Sequence, residues 1–93
     1  MLPILYGERL VGRIEPRIEH RADTLRVVNA WWEPGFDPTE SRFLDAFAAA
    51  LDAHRAFGDV RRITFERPRS LGGLVGAVRD RLPAARLRAT VGR

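Results

Sequence analysis

The side chains that could carry catalytic or metal chemistry are few and widely spaced along the chain. The two histidines, His20 and His54, have no histidine or carboxylate at a metal-ligand spacing such as i, i+4. The sequence contains no cysteine, which excludes disulfides and thiolate metal sites and is compatible with a reducing cytoplasm. We therefore expect neither a metal site nor a cofactor.

Two aspartates come closest to a catalytic pair. Asp45 and Asp52 are seven residues apart, a spacing that puts both on one face of a helix, where they could act as paired carboxylates. A solvent-exposed acidic helix face explains the same spacing and is more common. The glycines of residues 72–76 lack the G-x-G-x-x-G spacing and the Lys-Ser/Thr pair of a phosphate-binding loop. We predict no catalytic residue.

The basic side chains are unevenly distributed, and all of them are arginine. Residues 1–60 hold seven arginines against ten acidic side chains, a balance of −3, whereas residues 61–93 hold nine against two, a balance of +7. The C-terminal third is therefore a candidate basic strip for phosphate or another acidic partner. A solvated tail is the alternative explanation of the same charges.

Hydropathy alternation in the first third predicts three strands. Leu2 to Tyr6 is a short apolar run, and Gly7-Glu8 is a turn before a longer alternating strand that begins at Arg9. The predicted inward face of that second strand consists of Leu10, Gly12, Ile14, Pro16 and Ile18. In the third strand, from Thr24 to Glu33, the alternation groups Leu25, Val27, Asn29 and Trp31 on one face.

If the four residues His20 to Asp23 close a hairpin, the register of the second and third strands follows. Ile18 would face Leu25, Ile14 would face Asn29, and Gly12 would face Trp31, whose ring could cover the glycine. Pro16 cannot donate to a sheet ladder, so the strand should lie at an edge or be kinked there.

The adjacent tryptophans Trp31 and Trp32 should point to opposite faces of the third strand. At most one of them can then lie in the core. The other could stack on a base, a ligand or a missing neighbour. Core or subunit packing is the commoner role of such a side chain.

An amphipathic helix should follow the turn at Glu33-Pro34-Gly35. Asp37 suits the N-cap, Pro38 the first helical position and Glu40 a capping box, and Gly58 should end the helix. The apolar stripe of this helix, which should lie across the sheet, consists of Phe43, Leu44, Phe47, Ala48, Leu51 and His54.

A fourth strand from Val60 to Glu66 and a second, weaker helix complete the pattern. Ile63 and Phe65 should face the core, and helical spacing recurs at Leu71, Leu74, Val75, Val78 and Leu82. The predicted fold is α+β: a small, mainly antiparallel sheet or partial barrel, with one helix packed on it and the weaker C-terminal helix beside it. We expect a single domain over 1–93, apparently a partial one, with a β-β-β-α-β core over 1–66 and a basic, loosely held helical tail over 67–93.

Composition bounds the class of protein. Hydrophobic residues make up 45% and charged residues 30%, which is typical of a compact globular domain. No apolar run approaches the roughly 18 residues of a membrane helix, and the start is too short and uncharged for a signal peptide. We expect a cytoplasmic protein without membrane contact.

The segment from Leu2 to Pro16, which reads LPILYGERLVGRIEP, resembles the YcaQ/AlkZ-like winged-helix DNA glycosylases of crosslink repair. The resemblance continues through residues 25–29, the Glu33-Pro34-Gly35 turn, the amphipathic helix and the strand from Val60 to Pro68. It covers most of the chain, although only the first segment is distinctive.

The resemblance implies that this chain is the C-terminal β-barrel part of an enzyme that excises alkylated or crosslinked bases. The family's catalytic glutamine-containing motif lies upstream of the matching region, and this sequence has no glutamine, so no catalytic residue is carried over. The sequence has no lysine either, which excludes a side-chain Schiff base. In the family at least one strand precedes the matching segment, so we expect an open sheet edge that could pair with another chain.

DNA binding through the phosphate backbone is the expected role of the arginines. Arg13 could contact phosphate or instead pair with Glu15 or a neighbouring strand. The other candidates, for which a solvated surface is the alternative, are Arg17, Arg21, Arg61, Arg62, Arg67 and Arg69.

Three functions remain open from the sequence. The chain is a non-catalytic DNA-binding accessory domain, a protein-interaction or self-association module with an open sheet edge, or a small enzyme with an unrecognised site. An upstream winged-helix polypeptide is an expected partner in the first case.

Overall fold

The computed structural model of this chain describes residues 2–66 and 73–87. The elements in chain order are β1 (Leu2–Tyr6), β2 (Arg9–Glu19), β3 (Thr24–Trp32), α1 (Ser41–Phe57), β4 (Arg62–Phe65), α2 (Leu74–Arg79) and α3 (Ala84–Leu87). They form a four-stranded open sheet in the order β1-β2-β3-β4, with α1 packed on one face. The predicted α+β class, with one main helix and smaller C-terminal helical structure, is confirmed.

The first three strands are antiparallel, whereas β4 runs parallel to β3. The connection explains the difference, because α1 lies between the two strands and returns the chain to the end of the sheet at which β3 began. In β4, Ile63 is buried and Thr64 is exposed, as the alternation predicted. The strand itself is shorter than the segment from Val60 to Glu66.

The register of the β2–β3 hairpin is confirmed near the turn and wrong beyond it. Ile18 faces Leu25, but the register shifts between Glu15 and Pro16, because Val28 of β3 has no partner in β2. The predicted pairs of Ile14 with Asn29 and of Gly12 with Trp31 are both replaced. The observed pairs are Ile14 with Ala30 and Gly12 with Trp32. One extra residue on a strand exchanges the faces of every side chain beyond it.

The bulge at Val28 decides which tryptophan enters the core. Trp32 packs against the core cluster, and the grouping of Asn29 and Trp31 with Leu25 and Val27 is therefore wrong. Trp31 remains 42% exposed on the other face. The expectation that the two indoles point to opposite faces is confirmed. Pro16 lies at the register shift, and β2 is an inner strand of the sheet, so the alternative that this strand lies at an edge is wrong.

A second bulge interrupts the pairing of β1 with β2. Leu5 faces Leu10 and Ile4 faces Gly12, which leaves Val11 without a partner in β1. Val11 is fully buried, whereas Leu10 is 40% exposed. The prediction that Leu10 shares the inward face of Ile14 is wrong, since the bulge moves the inward position to Val11.

Helix α1 begins three residues later than its N-cap signal predicts. The Asp37 carboxylate accepts hydrogen bonds from the Thr39 backbone N–H at 2.9 Å and from its hydroxyl, which closes a local turn. That turn holds the pKa of Asp37 below its usual value, chiefly through the Thr39 hydroxyl. Glu40 is the N-cap instead, because its carboxylate accepts from the N–H groups of Arg42 and Phe43.

The predicted apolar stripe of α1 is confirmed. Its five hydrophobic members are buried and His54 is half-buried. The helix ends at Gly58 as predicted, although the residue with positive φ is Asp59 and not the glycine. A Cβ at Gly58 would lie 2.6 Å from Ile18 Cδ1, so a larger residue there would require the Ile18 side chain to move.

The second predicted helix is divided into α2 and α3. Leu74, Val78 and Leu82 are buried against the core, and Leu71 lies outside the described residues. In the described part of the chain, no helix is long and apolar enough to cross a membrane.

Candidate nucleic-acid interface

Two segments about forty residues apart in sequence meet at one end of the sheet. The β2–β3 turn, His20 to Asp23, lies against the start of β4. The Asp23 carbonyl accepts hydrogen bonds from the backbone N–H groups of Arg61 and Arg62, and the Asp23 carboxylate accepts a second bond from the Arg61 N–H. This contact brings the predicted residues Arg21, Arg61 and Arg62 to a single surface, the hairpin end.

The three arginines of the hairpin end differ in how many contacts their side chains make within the protein. Arg62 donates to the Ala22 carbonyl, and its Nε is buried with no acceptor in the described part of the chain, so Arg62 holds the turn in place. Arg61 pairs with Asp23 at 2.7 Å, yet its side chain is 84% exposed. Arg21 is exposed and makes no ion pair with any described carboxylate. Of the three arginines of the hairpin end, Arg21 and Arg61 are therefore the two that an external anion can reach.

The sheet face opposite α1 carries the remaining candidates of β2. Arg17 pairs with Glu15 at 2.9 Å, and on β3 Arg26 pairs with Glu19 at 2.7 Å and with Glu66 at 3.5 Å. These pairs compensate the charge of this part of the face. Because the pairs are partly exposed, each contributes at most about 1 kcal/mol to stability.

Arg13 lies further along β2 on the same face. It is exposed and faces Pro3 on β1 and Trp31 on β3. The alternative that Arg13 pairs with Glu15 is wrong, because Arg13 makes no ion pair with any described carboxylate, and Glu15 pairs with Arg17. Arg67 and Arg69 lie outside the described residues.

Asp45 and Asp52 are bound to arginines and do not face each other across a site. Asp45 pairs with Arg81 at 2.7 Å, and Asp52 accepts from Arg55 at 2.7 Å and from Arg86 at 2.8 Å. The Arg55 hydrogen bond, with a further contribution from Arg86, holds the pKa of Asp52 below its usual value. A general acid needs a raised pKa, so the exposed acidic helix face is the better interpretation. Both aspartates attach the C-terminal segment to α1.

A groove of about 190 Å³ lies between β1 and α1. Its lining is apolar except for His54, with Leu2, Ile4 and Leu51 among its walls. A lone histidine without a second titratable group in reach does not make a catalytic constellation. Over residues 2–66 and 73–87, no group of three His, Cys, Asp or Glu side chains could hold a metal ion.

Sequence reasoning identified the arginines of the hairpin end but not their partners. Asp23 and Arg61 are 38 positions apart in sequence, so no local pattern predicts their contact. Asp23 has a positive φ, a backbone conformation that aspartate tolerates better than most residues. Comparisons with protein-family models, with curated proteins and with solved structures returned no match to this chain.

Proposed function

We propose that the chain is a non-catalytic DNA-binding accessory domain that contacts the phosphate backbone of a duplex with its hairpin end. The observation that carries the proposal is the convergence of Arg21, Arg61 and Arg62 on a turn and a strand start that hydrogen bonds to Asp23 hold together. The sequence resemblance to the crosslink-repair glycosylases supports the same role, in the cytoplasm, beside a winged-helix polypeptide that performs the chemistry.

The accessible cations suit phosphate contacts better than base recognition. Arg21 and Arg61 present guanidinium groups on a protruding turn, and contacts of this kind orient a protein on DNA without reading its sequence. Each neutralised phosphate steepens the salt dependence of binding, with a slope of about −0.9 in log K against log salt. Two arginines therefore predict weak, sequence-independent and strongly salt-dependent binding.

Fluorescence anisotropy of a labelled duplex, titrated at several salt concentrations, tests the proposal. The double variant R21A/R61A should weaken binding and lower the salt slope by about two. Arg62 is left intact, because its contact with Ala22 is structural. The matched control is R42A/R79A, which removes two exposed arginines outside the hairpin end. Absent or salt-insensitive binding by a folded sample, or an equal effect of the two double variants, contradicts the proposal.

A second candidate is a protein-interaction or self-association module. The observation that favours it is the open edge of β1, where Leu2 is 44% and Leu5 63% exposed beside the apolar groove. Unpaired strand edges with apolar side chains pair readily with other strands. This function predicts a mass by light scattering that rises with concentration, and a monomer at every concentration counts against self-association.

A further inference from the structure

One row of side chains crosses the sheet on the face opposite α1. Arg13 of β2 lies directly between Pro3 of β1 and Trp31 of β3. Residues that face each other on adjacent antiparallel strands have Cβ atoms about 5 Å apart. Arg13 and Trp31 are therefore side by side on one surface, and both are exposed.

The guanidinium of Arg13 is not engaged by the acidic side chains of its face. Glu15, two positions along β2, gives its carboxylate to Arg17, and both Glu19 and Glu66 pair with Arg26. The ion pairs thus end one position short of Arg13. Its charge is left beside an indole that is 42% exposed.

The neighbours of Trp31 leave its surface open. Asn29, the preceding side chain on this face, bonds back to its own strand through Oδ1 and the Ala30 N–H at 3.0 Å. On the other side stand Leu5 and Leu10, which face each other and are 63% and 40% exposed. The result is a surface with one exposed aromatic ring, two exposed leucines and Arg13, which makes no ion pair with a described carboxylate, while Glu33 follows two positions beyond Trp31.

We propose that Trp31 and Arg13 form a binding site for an unpaired nucleotide, whose base stacks on the indole while its phosphate meets the guanidinium. The chemistry of the two side chains favours this occupant. A nucleotide carries an aromatic base, which can stack on Trp31, and a negatively charged phosphate close enough to the base to contact the neighbouring Arg13. A base inside a duplex has its faces covered by its neighbours and cannot reach a ring on a flat sheet. The inference rests on the proposed function and adds single-stranded or extruded nucleotides to its substrates.

The test uses an oligothymidylate of about ten nucleotides, a length within the range that one stacking surface occupies. Binding to the 93-residue chain should quench the tryptophan fluorescence that comes from Trp31, since Trp32 is packed in the core. W31L should weaken oligothymidylate binding about tenfold, and W31F, which keeps an aromatic face, should weaken it less. R13A should weaken it and reduce its salt dependence. F57L, which alters a phenylalanine that is 91% exposed on α1, is the matched control.

The outcomes separate this site from the hairpin end. We expect R21A/R61A to lose duplex binding and to keep the fluorescence quenching by oligothymidylate. We expect W31L to keep duplex binding and to lose most of its affinity for oligothymidylate. With both results, the inference and the proposed function stand. Oligothymidylate binding that is equal in W31L and F57L overturns the inference and leaves the proposed function intact. A W31L variant that changes only the oligomeric mass also overturns it, because Trp31 would then face a protein. If neither DNA binds at low salt, both proposals fail.

Discussion

Gly12 of β2 and Trp32 of β3 face each other, and the indole occupies the space where a side chain at position 12 would stand. A Cβ on Gly12 would lie 2.8 Å from Trp32 Cε3 and would collide with the Trp31 carbonyl oxygen. The glycine therefore lets the ring lie flat across the ladder toward Phe43 and Phe47, at centroid distances of 5.6 and 5.7 Å. The hairpin and the helix are joined through this contact.

The Gly12 contact predicts a specific loss of stability. Gly12→Ala should lower the free energy of unfolding by about 1 to 3 kcal/mol, because backbone and ring must both move. Urea denaturation measures it. The control is Gly76→Ala, since a Cβ there meets nothing within 4 Å and alanine favours the helix by up to about 1 kcal/mol. An unchanged midpoint for Gly12→Ala would contradict the packing described here.

The aromatic cluster around Phe43 predicts that two phenylalanines of α1 differ in their contribution to stability. Phe43 is 2% exposed and touches the rings of Tyr6, Trp32, Phe36 and Phe47, whereas Phe57 on the same helix is 91% exposed. Phe43→Leu should cost about 1 to 2 kcal/mol, and Phe57→Leu should stay within about 0.5 kcal/mol. Thermal unfolding of both variants is the measurement, and equal shifts in Tm would refute the assignment of the core.

The lowered pKa of Asp52 predicts how stability responds to acid. Because Arg55 and Arg86 stabilise the charged carboxylate in the folded state, the contribution is complete above the unfolded pKa of about 3.9 and is lost as the pH falls below it toward the folded value. Asp52→Asn should therefore be less stable than the natural chain at pH 7. The difference should shrink between about pH 4 and pH 2, as followed by urea denaturation across that range. A difference that grows on acidification would exclude this linkage.

The Asp23–Arg61 pair predicts a variant that binds DNA more tightly. Asparagine tolerates the positive φ of 55° at position 23 and keeps an oxygen for the Arg61 N–H, but it removes the charge that compensates Arg61. Asp23→Asn should strengthen duplex binding several-fold at low salt and cost less than about 1 kcal/mol of stability. Asp80→Asn changes the net charge equally at an exposed site, the C-cap of α2. Equal affinities of the two variants would argue against binding at the hairpin end.

The existence and type of the main elements could be predicted from local sequence. The apolar stripe of α1 from Phe43 to Leu51 and the alternation around Ile63 are periodic patterns of hydrophobic residues. Because a helix and a strand bury one face at different periods, the period of the pattern indicates the type of element. Charge also pointed to Arg61, in the basic C-terminal third, and Arg21 was a candidate because of its place toward the predicted hairpin tip. These features depend on residues a few positions apart, which is why the amino-acid sequence alone is enough to predict them.

The tertiary structure decided the rest, because it depends on partners distant in sequence. The bulge at Val28 places Trp32 inside and Trp31 outside, and the bulge at Val11 places Val11 inside and Leu10 outside. Similarly, no local pattern could show that Arg26 pairs with Glu66 or that Asp23 pairs with Arg61. The amino-acid sequence determined which side chains are available for function, and the packing of the sheet determined which of them reach solvent uncompensated.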